Sequence, residues 1–103
     1  MGEGHLPVLV SEVVDLLAIA PGSSVADCTV SGGGHAERLL EAASPDGRLL
    51  GIDADQAAIA EASRMLARFG NRAVLRRANF ESILDVATDA GMLPLDAVLF
   101  DLG

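Results

Sequence analysis

Short, dense apolar runs alternate along this chain with longer stretches in which apolar residues recur every third or fourth position. The first pattern marks buried strands and the second amphipathic helices. Ser11 to about Ala18 reads as a short leading helix, with Ser11 at the N-cap and Glu12 in the first turn. Pro21-Gly22 is a turn, and a strand over Ser24 to Val30 follows. A glycine turn then leads into a helix from about His35 to Ala43, and Pro45-Asp46-Gly47 punctuates before a second strand, Arg48 to Ile52. Asp55 is placed to cap the next helix, whose Ile59, Ala62, Leu66 and Phe69 share one face, with Gly70 at the C′ position. A third strand, Ala73 to Arg77, precedes a helix from about Phe80 to Ala90 that stops at Gly91. Pro94 introduces a fourth strand, Ala97 to Phe100, with Asp101 at its carboxyl end.

Strands alternating with helices in this way predict an α/β fold with an open parallel sheet. Right-handed crossovers at this spacing give the strand order 3-2-1-4. The run Ala97-Val98-Leu99-Phe100 suits a strand with neighbours on both sides. In that order it becomes an edge, with neither the charge nor the proline that usually guards one. The expectation is therefore a single partial domain over residues 1–103, the amino-terminal half of a larger domain whose remaining strands lie elsewhere.

Composition narrows the picture. At 103 residues, half of them apolar, the chain holds at most one domain and is not intrinsically disordered. No apolar run approaches the length of a membrane span, no secretory leader opens the chain, and the single cysteine excludes an internal disulfide. These features point to the cytoplasm and away from a membrane. A net charge of −8 with no lysine argues against nonspecific nucleic-acid binding. Five of the seven arginines (Arg64, Arg68, Arg72, Arg76, Arg77) fall within fourteen residues. They read as a solvated helix face followed by a strand end. The alternative, an RNA-facing patch, lacks nearby aromatic residues for base stacking.

The chemistry concentrates at Asp27-Cys28-Thr29-Val30-Ser31-Gly32-Gly33-Gly34-His35, a strand end, a glycine turn and a helix start. Glycine lets backbone approach a ligand closely. Nineteen residues beyond Gly34, the second strand ends at Asp53, where nucleotide-binding folds place a carboxylate against ribose hydroxyls. A dinucleotide fingerprint would require glycine at the position of Glu37, and a carboxylate there has the wrong sign for a pyrophosphate. Asp27, Asp53 and Asp101, at the tips of three adjacent strands, favour a ligand with cationic groups and ribose hydroxyls, which describes S-adenosylmethionine.

The ordered set His5-Leu6-Pro7-Val8-Leu9 with Glu12-Val13, Asp27-Cys28-Thr29 with Gly33-Gly34-His35, Gly51-Ile52-Asp53-Ala54-Asp55, Asn79-Phe80 and Asp96 to Gly103 resembles the MraW/RsmH family. The resemblance implies a class I, Rossmann-like fold and transfer of a methyl group from S-adenosyl-L-methionine to N4 of a cytidine in 16S rRNA of the small ribosomal subunit. It further implies cofactor contacts at Gly33, Gly34, His35, Asp53, Phe80 and Asp101. Gly33-Gly34-His35 would wrap the methionine end, Asp53 hold the ribose and Phe80 lie against adenine, with Asp101 nearest the transferred methyl. Where the family has glycine this chain has Ser31, which would strain a turn needing positive φ. Family members continue past the equivalent of Gly103 into the regions expected to bind RNA, so residues 1–103 alone are expected to be catalytically incompetent.

Several residues carry blander readings. Cys28 is read as a small buried filler, Asp55 as an N-cap, and Met65 and Met92 as core or loop fillers. His35 has no metal partner at a sensible spacing, since His5 and Cys28 are the only other soft ligands. Phe80 either anchors a helix in the core or meets the cofactor. Two competing functions remain: a non-catalytic adenosine-ligand binding module, and an NAD-type Rossmann half that Glu37 and Asp27 disfavour.

Overall fold

The computed structural model describes residues 19–28, 30 and 34–99. The expected leading helix, the His5–Leu9 segment, Ser31, Gly33 and Asp101 lie outside them. Four strands, β1 (Ser24–Asp27), β2 (Arg48–Asp53), β3 (Ala73–Arg77) and β4 (Ala97–Leu99), pair in parallel in the order β3-β2-β1-β4. Helices α1 (Gly34–Ala42), α2 (Gln56–Met65) and α3 (Ile83–Asp89) make the crossovers.

The central strands β1 and β2 are buried on both faces, which is why they are apolar without alternation. On one face Val25 and Leu49 pack against Ala36, Leu39 and Leu40 of α1 and against Ile59, Ala62, Leu66 and Phe69. On the other, Ala26, Leu50 and Ile52 meet Ala87 of α3 and Met92. Leu39, Leu40, Leu49, Leu50 and Ile52 are all fully buried. Each contributes about 1.5–3 kcal/mol by leaving water. Gly51 belongs to this packing: a Cβ there would lie 2.8 Å from both Leu75 Cδ2 and Val30 Cγ2, so a larger residue would have to displace those side chains.

Three boundaries differ from the sequence reading. β1 ends at Asp27, not Val30, although its ladder continues as Cys28 N–H donates to the Leu99 carbonyl at 2.9 Å and Val30 N–H to that of Ile52 at 3.1 Å. α2 ends at Met65 with Leu66 as C-cap, and Gly70 is no C′ residue. It bends a following 3₁₀ segment, Ala67–Arg72, at φ 61°. The apolar periodicity continued through Leu66 and Phe69 because both still face the core. Phe80–Ser82 is likewise a 3₁₀ turn, and α3 proper begins at Ile83.

Candidate functional site

The carboxyl ends of the parallel strands lie at one edge of the sheet, where ligands bind in open α/β folds. Asp27 ends β1, in register with Gly51 and Leu99 on either side. Among the described residues it is the one buried charged group, with no exposed surface. It therefore sits enclosed at the strand tip. Its charge is felt next door. Burial, and then the Asp27 carboxylate, push the Cys28 thiol up to about 11. The thiol is thus neutral at physiological pH, and Cys28 is a buried filler, as its sequence context implied.

Asp53 ends β2 and is only partly buried. Its Oδ1 accepts the Asp55 N–H at 2.9 Å, and Asp55 Oδ1 accepts the Ala57 N–H at 2.9 Å, which makes Asp55 the N-cap of α2. The two aspartates divide the work: Asp55 satisfies an orphan donor of the helix, while Asp53 is oriented by the chain that leads into it. One oxygen anchored to backbone holds the carboxylate in place at the rim.

Asp53, Phe80, Asn79, Ala54, Ala78 and Cys28 enclose a hollow of about 200 Å³ between the ends of β2 and β3. Phe80 is 54% exposed, so it is no core anchor. The 3₁₀ turn that starts at Phe80 leaves its ring at the hollow's wall. A second hollow of about 360 Å³ adjoins it, lined by Ala54, Arg77, Ala78 and Asn79. Arg77 Nε donates to the Ala54 carbonyl at 3.1 Å. Asn79 lines both spaces and was missed as a site residue; its position two residues past the third strand's end, next to Phe80, was the available signal.

The structure thus brings Asp53 and Phe80 together. His35, half-buried in the first turn of α1, does not line that hollow. Gly34 begins α1, while Gly33 and Asp101 fall outside the described residues. Glu37, read from sequence as a charge opposed to pyrophosphate, is held by Arg68 at 3.2 Å together with Glu41 at 2.9 Å. Its charge is thereby partly neutralised, which leaves the missing glycine and Asp27 to weigh against a dinucleotide. Among the described residues no three His, Cys, Asp or Glu side chains are grouped to hold a metal, and no helix is long and apolar enough to cross a membrane.

A parallel sheet of this order, with a carboxylate at the tip of its second strand, has the Rossmann-like fold found in SAM-dependent methyltransferases. Solved structures share it. A SAM-dependent O-methyltransferase from Thermotoga maritima superposes with a TM-score of 0.63 at 19% identity, over 68% of this chain and 27% of that one. A SAM-dependent methyltransferase from Aquifex aeolicus gives 0.61 at 15%, over 68% and 38%. Within that class the chain belongs to the MraW methylase family, whose model matches residues 2–103. Its relatives include proteins named ribosomal RNA small subunit methyltransferase H. That of Symbiobacterium thermophilum is 50% identical over 96% of this chain, and that of Syntrophotalea carbinolica 43% over the same share. The chain spans only 31% and 32% of those relatives' lengths.

Proposed function

We propose that this chain is the cofactor-binding half of an S-adenosylmethionine-dependent methyltransferase that acts in the cytoplasm on N4 of a cytidine in small-subunit ribosomal RNA. The observation that carries the reading is the Asp53–Phe80 hollow at the carboxyl edge of the sheet. A backbone-anchored carboxylate accepts hydrogen bonds from vicinal hydroxyls, and a half-exposed aromatic ring offers a face to a planar base. Ribose and adenine need those two chemistries side by side, so the residues present fit that end of the cofactor. When bound, S-adenosylmethionine supplies an electrophilic methyl group on a cationic sulfur. The chain's own contribution is positioning: Asp53 fixes the ribose, Phe80 covers adenine, and Gly33, Gly34 and His35 lie toward the methionine end. Asp101, beyond β4, is the residue nearest the transferred methyl in this reading. Transfer of this kind depends on alignment and a preorganised field rather than on a covalent intermediate. The RNA substrate would be engaged largely by regions that the full-length relatives have in addition.

The test is a pair of titrations and an assay on the complete product of the reading frame that carries this chain. S-adenosylhomocysteine is expected to bind and NAD is not. Labelled methyl groups are expected to appear on a cytidine amino nitrogen of small-subunit rRNA or of assembled particles. Binding of NAD in place of S-adenosylhomocysteine would overturn the reading, and cofactor binding without transfer would favour a non-catalytic adenosine-ligand module.

A further inference from the structure

At the opposite edge of the sheet, where the strands begin, a third hollow of about 380 Å³ is lined by Pro45, Asp46, Arg48, Asn71 and Arg72. Arg48 opens β2, and Arg72 immediately precedes β3. The pair they precede, Leu49 and Ala73, is in direct register. Both arginines thus line one hollow from adjacent strand starts, and like charges at neighbouring cross-strand positions repel. Arg72 is fixed there: Nε donates to the Gly47 carbonyl and Nη2 to that of Leu40, both at 2.7 Å, with the Ser44 hydroxyl at 3.5 Å. All three acceptors are neutral, so its charge is kept. The one acidic lining residue, Asp46, forms no ion pair with either arginine, and its Oδ1 lies toward the Pro21-Gly22 turn. Two cations, one of them held by backbone carbonyls, and an amide thus line one open space in a chain of net charge −8.

We propose that this hollow binds a phosphate group, and that the phosphate is a backbone phosphodiester of the RNA substrate. The Arg48 guanidinium matches two phosphate oxygens as a fork, Arg72 adds its charge while Nε and Nη2 stay on their carbonyls, and an anion between the two offsets their repulsion. These residues, at a net charge of −8, cannot hold RNA by their overall field, so any contact they add comes from a local site of this kind. The site lies on the face away from the cofactor hollow and so concerns docking of RNA, not the reacting base. It rests on the reading of RNA as the substrate.

The test measures fluorescence anisotropy of a labelled small-subunit rRNA fragment with the complete product of the reading frame, between 50 and 200 mM salt. Arg48→Gln removes one guanidinium, and Asn71→Asp places a negative charge in the hollow without touching the sheet. Each is expected to weaken RNA binding about five- to tenfold at 0.1 M salt. Arg48→Gln is also expected to reduce the slope of log affinity against log salt by about one. Binding of S-adenosylhomocysteine should stay within about twofold of wild type, because its hollow is at the other edge of the sheet. Wild-type RNA affinity and slope in both variants would overturn the proposal, as would an unmodified protein that binds no RNA. Inorganic phosphate that shifts the Arg48 Nε resonance while both variants retain RNA affinity would assign the hollow to free phosphate and overturn the RNA assignment. Loss of S-adenosylhomocysteine binding in the unmodified protein would strike the cofactor reading alone, since the RNA arm is read separately.

Discussion

Asp53 and Asp55 are two residues apart and chemically identical, yet their hydrogen bonds give them separable roles. Asp55 caps α2 through the Ala57 N–H, whereas Asp53 receives the Asp55 N–H and faces the hollow shared with Phe80. Asp55→Ala should cost about 1 kcal/mol of stability, read from a denaturant midpoint, with cofactor affinity little changed. Asp53→Ala should instead weaken S-adenosylhomocysteine binding by about 10- to 100-fold by calorimetry, because hydrogen bonds to a charged acceptor are lost. Equal affinity losses in both variants would mean that the carboxylate of Asp53 acts only through the cap. Cys28 offers a second test at this scale. Its folded-state thiol titrates near 11, above the ordinary value of 9.0, because burial and Asp27 both oppose the thiolate. The folded form therefore prefers the protonated thiol. That contribution is complete below pH 9 and is lost as pH rises from 9 toward 11, where the unfolded chain ionises first. Over that window the unmodified chain should lose about 2–3 kcal/mol that Cys28→Ala does not lose, measured from denaturation midpoints at each pH. Thiol-specific labelling at pH 7 should be slow until the chain unfolds.

The arginines show how elements are tied together. Arg68 bridges Glu37 and Glu41 of α1 from the solvent side, and its guanidinium also covers the Phe69 ring at 4.2 Å from the centroid. Arg72 reaches the Leu40 carbonyl in the last turn of α1 and the Gly47 carbonyl before β2. It thus supplies the cationic partner that a helix C-terminus favours. Arg72→Met should cost about 2–4 kcal/mol, since two charge-assisted bonds to partly buried carbonyls are lost. Arg68→Met should cost less, and added salt should shrink its effect, because exposed pairs are screened. Denaturant midpoints of both variants at low and high salt decide between these two roles.

Those same arginines mark where the sequence was legible and where it was not. The Asp55 cap, the four strands, their order and the Asp53 tip could all be read, because each is encoded within a few residues or by the shortness of the crossovers. Arg68 and Arg72 were read as part of a solvated face, since their partners lie 25 to 32 residues away and no local periodicity records that distance. Gly70 was misplaced for a related reason: Leu66 and Phe69 keep the helical spacing of buried residues after the α-helix has given way to a 3₁₀ segment. Asp27 was correctly set at a strand tip, but its full burial depends on strands pairing to both sides of it.

At the scale of the molecule, among the described residues β1 and β2 have neighbours on both sides and helices over both faces, whereas β4 has one partner, β1. Its Val98 is 36% exposed, and Leu84 of α3 is 63% exposed. An apolar sheet edge is a template for further pairing. The curated relatives are about three times as long as the part this chain matches, which leaves ample sequence to cover that edge. Stability should therefore be graded across the sheet, and hydrogen exchange reads that gradient residue by residue. In residues 1–103 alone, amides of Leu49, Leu50 and Ile52 should exchange most slowly and those of β4 most quickly. In the complete product of the reading frame, β4 amides should become protected to the level of β1. The same comparison bears on activity. Asp101 follows β4 directly in sequence, so a β4 that opens readily cannot hold it at the methyl-transfer end. The isolated 103 residues are expected to bind S-adenosylhomocysteine more weakly than the complete product and to transfer no methyl group to rRNA. Equal protection of β4 in both forms, together with measurable transfer by the shorter one, would show instead that the half-domain is sufficient and that its edge needs no partner.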